Sequence, residues 1–183
     1  MDDRVGARRL NTGVRLHARA VMPRVGLISD THGLLRTEAV KFLRGSDFIV
    51  HAGDVGDVEV LDQLASLAPV TVVRGNNDKG AWADSIAETR ILEVDDVLIY
   101  VLHDLAELDL DPGAAGFHVV VCGHSHRPLS ETRSGVLYVN PGSAGPRRFK
   151  LPVSVGELQI VGGSITPRHV ELAVPGAATC PHR

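Results

Sequence analysis

Oxygen and nitrogen donors suited to divalent cations gather in four short segments of this chain. They are Asp30-Thr31-His32, Gly53-Asp54, Gly75-Asn76-Asn77-Asp78 and Gly123-His124-Ser125-His126, with His103 alone between the last two. Carboxylate, amide and imidazole donors in this mix suit several first-row cations and do not choose among them. A carboxylate shared by two cations holds them ~3.5–4 Å apart, a spacing that grips both the attacking and the leaving oxygen of an in-line displacement. Water held there ionises near neutral pH, with a pKa of about 7 in zinc enzymes, so a nucleophile is at hand.

One at a time, most of these segments also read as turns. Asp30 could cap a helix, and Gly53-Asp54 and Asn76-Asn77 suit left-handed backbone. Only Gly-His-Ser-His, with two imidazoles so close together in a loop, is suggestive alone. The conjunction carries the argument: each segment follows a run of apolar residues, and α/β sheets build their sites where strands end and loops begin.

The elements that must position these residues can be read from the hydrophobic pattern. Strands are expected at Arg24–Ser29, Asp47–His51 and Val70–Val73, with helices at Thr37–Arg44 and Val58–Leu67 between them. After Asp78 the pattern changes. Thr89–Val94 and Val97–Leu102 flank Asp95-Asp96 as a hairpin, and short strands follow at Val119–Cys122, Leu129–Arg133, Val136–Val139, Val153–Ile160 and Ile165–Leu172. So many strands predict an α/β fold of four layers, an αββα sandwich of two mixed β-sheets flanked by helices. The connection Leu108–Gly116 is polar and small, with room for one helical turn begun at Pro112.

Composition sets the bounds. With 183 residues, 44% of them hydrophobic, the chain suits one globular domain with a sizeable core. That domain is expected over residues 23–174. Residues 1–22 carry Arg4, Arg8, Arg9, Arg15 and Arg19 without periodicity and read as a disordered extension; a transit peptide or a start at Met22 are the other readings. Residues 175–183 read as a flexible tail. A net charge of −3 lacks the basic footprint of general nucleic-acid binding, so nucleic acid enters only as a possible substrate. Cys122 and Cys180 make no disulfide framework, which fits a reducing, cytoplasmic setting. No apolar stretch approaches the ~20 residues needed to span a bilayer, so no membrane association is expected.

The order of the ligand segments resembles the calcineurin-like metallophosphoesterase superfamily, whose motifs run Asp-x-His, Gly-Asp, Gly-Asn-x-Asp/Glu, His and Gly-His-x-His. The likeness covers roughly Val25 to Leu172 and is closest to the small single-domain bacterial and archaeal phosphodiesterases, including Asn-Pro-Gly-Ser at Asn140 to Ser143. The resemblance implies a metal-dependent phosphoric (di)ester hydrolase acting on a small phosphoester through a metal-bridging hydroxide. One metal would be held by Asp30, His32, Asp54 and His126, and the second by Asp54, Asn76, His103 and His124. Asp54, Asn76 and His103 would be catalytic. Two divalent ions per chain are implied, Mn²⁺ first, with Fe, Zn²⁺, Ni²⁺ or Co²⁺ also used in the family. Homo-oligomers are common in it. The same fold also serves as a non-catalytic scaffold subunit of the retromer coat, and a nuclease is the other enzymatic alternative.

Charge counting bears on the substrate. Two dications less Asp30, Asp54 and one hydroxide leave about +1, which a singly charged diester neutralises. A monoester dianion would want further cations, for which Arg127, Arg147 and Arg148 are candidates, beside Asn76 and Asn77 as phosphate contacts; solvated loop arginines are the plain alternative.

Two positions depart from the family pattern. Asn77 stands where many members have a His that protonates the leaving oxygen, and an amide cannot act as a general acid. Asp78 is then a turn or supporting residue. At Asp104 the family usually has glycine; its carboxylate could strengthen a ligand imidazole or face solvent, and both readings stand. His51 reads as a supporting donor or a core histidine, and Trp82 as pocket lining or core cover. His118 reads as the start of a strand, and His17, His169 and His182 are expected in remote or mobile regions.

Overall fold

The computed structural model describes residues 22–148 and 150–174. The expected tail and, apart from Met22, the expected N-terminal extension lie outside the described residues. In chain order the elements are β1 (Arg24–Ile28), α1 (Thr37–Leu43), β2 (Phe48–His51), α2 (Val58–Ala65), β3 (Val70–Val72), α3 (Ala81–Asp84), β4 (Thr89–Val94), β5 (Val97–Leu102), β6 (Val119–Val121), β7 (Leu129–Arg133), β8 (Val136–Asn140), β9 (Ser154–Val161) and β10 (Ser164–Glu171).

They form two five-stranded sheets, ordered β10-β9-β1-β2-β3 and β4-β5-β6-β8-β7. Both are mixed. β1, β2 and β3 run parallel while β9 joins β1 antiparallel. In the other sheet β5, β6 and β8 are parallel, with β4 and β7 antiparallel at the edges.

Side-chain alternation explains the layers. Val25, Leu27, Val50, Leu158 and Ile160 of the first sheet pack against Ile99, Val101, Val119, Val121 and Val139 of the second, making the apolar layer between them. The opposite face of the first sheet carries Ile28, Ile49 and Val155, which bury Ala39 and Leu43 of α1 and Val60 and Leu64 of α2. Each fully buried Leu or Ile contributes about 1.5–3 kcal/mol, so strand positions next to the ligand segments are firmly held. α2 starts where the Asp57 side chain accepts from Glu59 N at 2.9 Å.

The expected sandwich is present, but its fourth layer is thin. Tyr100, Leu102, Val120 and Tyr138, on the outer face of the second sheet, are covered by Leu105, Leu108, Leu110 and Phe117 of the β5–β6 connection. This connection carries one 3-10 turn, Leu105–Glu107. It is capped by Asp104 Oδ1, which accepts from Ala106 N at 2.9 Å. The turn expected at Pro112 is present as well: residues 112–116 form a hydrogen-bonded turn in which Ala115 N donates to Asp111 O at 3.0 Å and Ala114 N to Asp111 Oδ1 at 3.1 Å. α3 was not expected: four residues are too short for a helical period to show.

A second buried feature belongs to the frame. Glu157, 1% exposed on β9, accepts from Arg24 Nε and, at 2.6 Å, from Arg168 Nε. Both guanidinium groups lie over the Phe42 ring, at 4.9 and 5.6 Å from its centroid. Burial pushes the Glu157 carboxyl up, but the bonds from Arg168 and Arg24 outweigh this and hold it below its ordinary value. Among the described residues no helix is long and apolar enough to cross a membrane.

Candidate metal centre

The ligand segments leave the strands at one end of both sheets. Asp30 follows β1, Asp54 follows β2, Asn76 follows β3, His103 follows β5, and His124 and His126 follow β6. The local backbone is unusual there. Asp30, His32, Asp54, His124 and His126 all have positive φ, between 47 and 63°. This left-handed region is sparsely used by non-glycine residues, though Asp and His tolerate it better than most. Its effect is to bend each chain sharply after the strand, so that side chains otherwise bound for opposite faces aim at one point. Neighbouring glycines make the approach possible. A Cβ at Gly53 (φ 88°) would stand 2.5 Å from His103 Nδ1, and one at Gly75 would collide with the backbone and carboxylate of Asp54.

The side chains converge in two overlapping groups. One ligand atom from each of Asp30, His32 and His126 lies within 4.8 Å of the others, and the same holds for Asp30, Asp54 and His103. Between them stands Asp54, with Oδ2 3.8 Å from His32 Nε2 and Oδ1 3.5 Å from His103 Nε2. Asn76 Oδ1 then joins His103 Nε2 at 3.2 Å to His124 Nδ1 at 3.1 Å. His126 Nε2 is 3.2 Å from Asp30 Oδ1. All seven residues expected as ligands are thus brought together.

Hydrogen bonds around the cluster decide which atoms face inward. Ala52 O can only accept, so the 2.7 Å bond fixes His103 Nδ1 as donor and turns Nε2 towards Asp54 and Asn76. Ser29 Oγ donates to Asp30 Oδ2 at 2.7 Å, while the buried Asp30 Oδ1 has no hydrogen-bond donor among the described residues. Asn77 supplies two donors to Asp54, its backbone N to Oδ1 at 2.8 Å and its Nδ2 to Oδ2 at 2.6 Å. Asp78 is a supporting residue, accepting from Gly56 N and from Gly75 N, each at 2.8 Å, and so stapling two ligand loops together.

His51 resolves in the same way. Thr31 Oγ1 donates to Val55 O at 2.8 Å, so at 2.9 Å it accepts from His51 Nε2. Burial lowers the His51 pKa to about 4 and keeps the ring neutral. It is a buried histidine that fixes the residue between Asp30 and His32.

Charge follows geometry. Burial pushes the Asp54 carboxyl up, but hydrogen bonds from His103 and Asn77 overcome this and hold it well below the usual carboxylate range. Burial opposes charge on His103 too, yet its bonds to Asp54 and Ala52 raise it to about 9. Burial depresses the His32 imidazolium, against the pull of Asp54. The donor set therefore fits divalent cations: an ionised carboxylate, several imidazoles of which His103 has its second nitrogen anchored on Ala52 O, and a buried carboxylate oxygen that no protein donor claims.

The expected substrate contacts divide. Arg148 Nη2 lies 3.3 Å from His32 Nε2. Arg147 Nε instead donates to Leu151 O at 3.2 Å within its own loop, and Arg127 is exposed beside His126. Asn76 and Asn77 are inside the cluster, with Asn77 turned to Asp54. A cleft of about 470 Å³ opens on the Asn76, His103 and His124 side and is also lined by Arg74, Lys79 and Asp104. Arg74 is engaged there by Glu88 at 2.5 Å. Trp82 packs in the helical layer. Sequence reasoning missed Ser29, and it met Asn140 and Ser143 only as part of a resemblance. Asn140 Nδ2 donates to Gly123 O at 2.5 Å and Ser143 Oγ to Asp30 O at 3.0 Å, each bracing a ligand loop. A polar residue next to a ligand, or just past a strand end, is the only trace of this in the sequence.

Comparisons with known proteins converge on one family. A profile described as the calcineurin-like phosphoesterase superfamily domain matches residues 24–163. A probable metallophosphoesterase of Methanocaldococcus jannaschii is 36% identical over 132 residues, 65% of this chain and 67% of the relative. Among solved structures, an archaeal phosphodiesterase aligns with TM-score 0.70 and 23% identity, over 81% of this chain and 99% of the other. Chaetomium thermophilum Vps29 aligns with TM-score 0.67 and 19% identity, over 82% and 97%.

Proposed function

The chain belongs to the calcineurin-like phosphoesterase superfamily, and from that premise we propose that it is a binuclear, metal-dependent phosphodiesterase of small phosphoesters. The observation that carries this reading is the meeting of Asp30, His32, Asp54, Asn76, His103, His124 and His126 around a shared Asp54, with Asp30 Oδ1 unclaimed by any donor among the described residues. The first ion would be held by Asp30, His32, Asp54 and His126, the second by Asp54, Asn76, His103 and His124. Mn²⁺ is the first metal to test. Bound divalent cations supply a water of lowered pKa and electrophilic contacts for phosphoryl oxygens.

The chain's own residues set what such a centre does well. Asn77 holds both oxygens of Asp54, so the shared carboxylate is oriented before substrate arrives. Arg148, beside His32, can turn its guanidinium to a phosphoryl oxygen on that flank. Neither residue can protonate a leaving alkoxide, since an amide has no proton to give at ordinary pH and a guanidinium keeps its own. The reading is therefore of diesters and activated esters turned over faster than monoesters with poor leaving groups.

Hydrolysis of bis-p-nitrophenyl phosphate against p-nitrophenyl phosphate tests it, with Mn²⁺, Ni²⁺, Zn²⁺ and Co²⁺ each supplied to the wild type and to Asp54→Asn. Turnover of the diester that depends on metal and on Asp54 supports the enzyme. No turnover with any of the four would favour a scaffold role, the reading that the Vps29 likeness keeps open.

A further inference from the structure

We propose that Asp104 is a positioning residue for the second metal, holding His124 from behind; this rests on the binuclear reading above. His124 is the loosest of the imidazoles. Its side chain is 44% exposed, against 15% for His32, 4% for His103 and 8% for His126. Packing that fixes the other three rings is therefore largely missing here, and an exposed side chain loses rotamer freedom when it is pinned to a ligand.

Both ring nitrogens of His124 are nevertheless directed. Nδ1 is 3.1 Å from Asn76 Oδ1, on the side where Asp54, Asn76 and His103 meet. Nε2, on the far side, is 3.5 Å from Asp104 Oδ2. The His124 ring stands edge-on to His103, with centroids 5.2 Å apart and planes at 87°, which limits its rotation. Asp104 is itself anchored, because its Oδ1 caps the 3-10 turn through Ala106 N at 2.9 Å. A small turn of the exposed ring brings Nε2–H into hydrogen-bond range of Oδ2. A carboxylate behind an imidazole fixes its tautomer and makes the opposite nitrogen a stronger donor. His103 has only the neutral Ala52 carbonyl in that role. Two consecutive residues thus serve the same ion, His103 from one side and Asp104 through His124 from another, at a position where the family resemblance gives glycine.

Direct Mn²⁺ titration of the metal-free full chain, read by the electron paramagnetic resonance signal of free Mn²⁺, tests this without any turnover. The wild type should show two binding events per chain. Asp104→Asn keeps an oxygen to cap the turn and removes the charge facing His124, so its metal-free melting should match the wild type. Its weaker Mn²⁺ site should lose about 10–100-fold in affinity while the tighter one is unchanged. Asp104→Gly, which removes cap and charge together, should lose about as much. If Asp104→Asn binds both ions like the wild type, or if only Asp104→Gly weakens the site, the proposal falls and the effect of the residue is capping alone. His124→Ala separates the levels: loss of one Mn²⁺ site upholds the ligand reading, whereas two unaltered sites in that variant overturn the ligand reading and the proposal with it.

Discussion

Glu157 and Asp30 are buried carboxylates of the same sheet, one on β9 and the other just beyond β1, and the fold treats them in opposite ways. Glu157 meets Arg168 on one oxygen and Arg24 on the other, so its charge is answered within the protein. Asp30 receives Ser29 on one oxygen and no donor among the described residues on the other, which points at His126. Burial alone therefore does not mark a functional carboxylate. What separates Glu157 from Asp30 is whether arginines close the carboxylate, and the cluster around Asp30 is rich in imidazoles, which present lone pairs when deprotonated. It is also bent: Arg24, Glu157 and Arg168 lie on regular strands, whereas five of the candidate ligands adopt left-handed backbone.

This contrast is exposed to measurement, beginning with activity. Asp54→Asn should lower metal-dependent diester hydrolysis by more than about 100-fold, beyond the 10–100-fold typical of losing only an outer partner of a ligand. Glu157→Gln should leave the rate within about twofold, as expected for a site away from the reacting atoms. Comparable losses in the two variants would erase the distinction.

Stability should reverse the ranking. Glu157→Ala leaves two arginines facing a buried face. Since Arg168 is 60% exposed and can turn to water, the cost should fall below the 3–5 kcal/mol of a fully buried pair, at about 1–3 kcal/mol in urea unfolding. The pH dependence carries a defined sign. Glu157 binds its proton more weakly in the folded chain than at its ordinary value of 4.5. Its contribution is present above that value and is lost as pH falls through the lower folded one. The melting gap between wild type and Glu157→Gln should accordingly close on acidification below about pH 4.5.

Asn77→His should raise the ratio of monoester to diester rates by about tenfold, short of the 10²–10⁴ of a well-placed acid, because Asn77 faces Asp54 and not the cleft. An unchanged ratio would remove leaving-group protonation from the account of this position. The smallest effect should come from Asp30→Asn without metal. Removing an unanswered buried charge while keeping a residue tolerant of positive φ should leave unfolding within about 1 kcal/mol of the wild type, or raise it. A loss as large as that of Glu157→Ala would show that the ligand cluster is closed by the protein after all.

Most of the frame could be read from the chain because apolar alternation and turn residues agree: every expected strand and both expected helices are present within a residue or two. That the candidate ligands would meet at one place could be read for the same reason, each standing at the end of an apolar run. What escaped lies in contacts between distant parts of the sequence. Arg24 and Glu157 are 133 residues apart, and nothing local pairs them. The two bonds from Asn77 to Asp54 depend on how β2 and β3 bring their loops together. Asp104 could be flagged as unusual but not oriented, since its partner His124 follows another strand.

The pairing of β1 with β9 has a consequence for how the protein is made. Leu27 is opposite Gly156, so at ~5–20 residues per second β1 leaves the ribosome roughly 6–26 s before its antiparallel neighbour. Through that interval the strand that carries Asp30 and His32 has an open edge, and His124 and His126 are added only late in it. Until His126 is made, a growing chain offers a cation only fragments of the candidate ligand set, and from there until β9 follows it offers the whole set on a first sheet that still lacks β9 and β10.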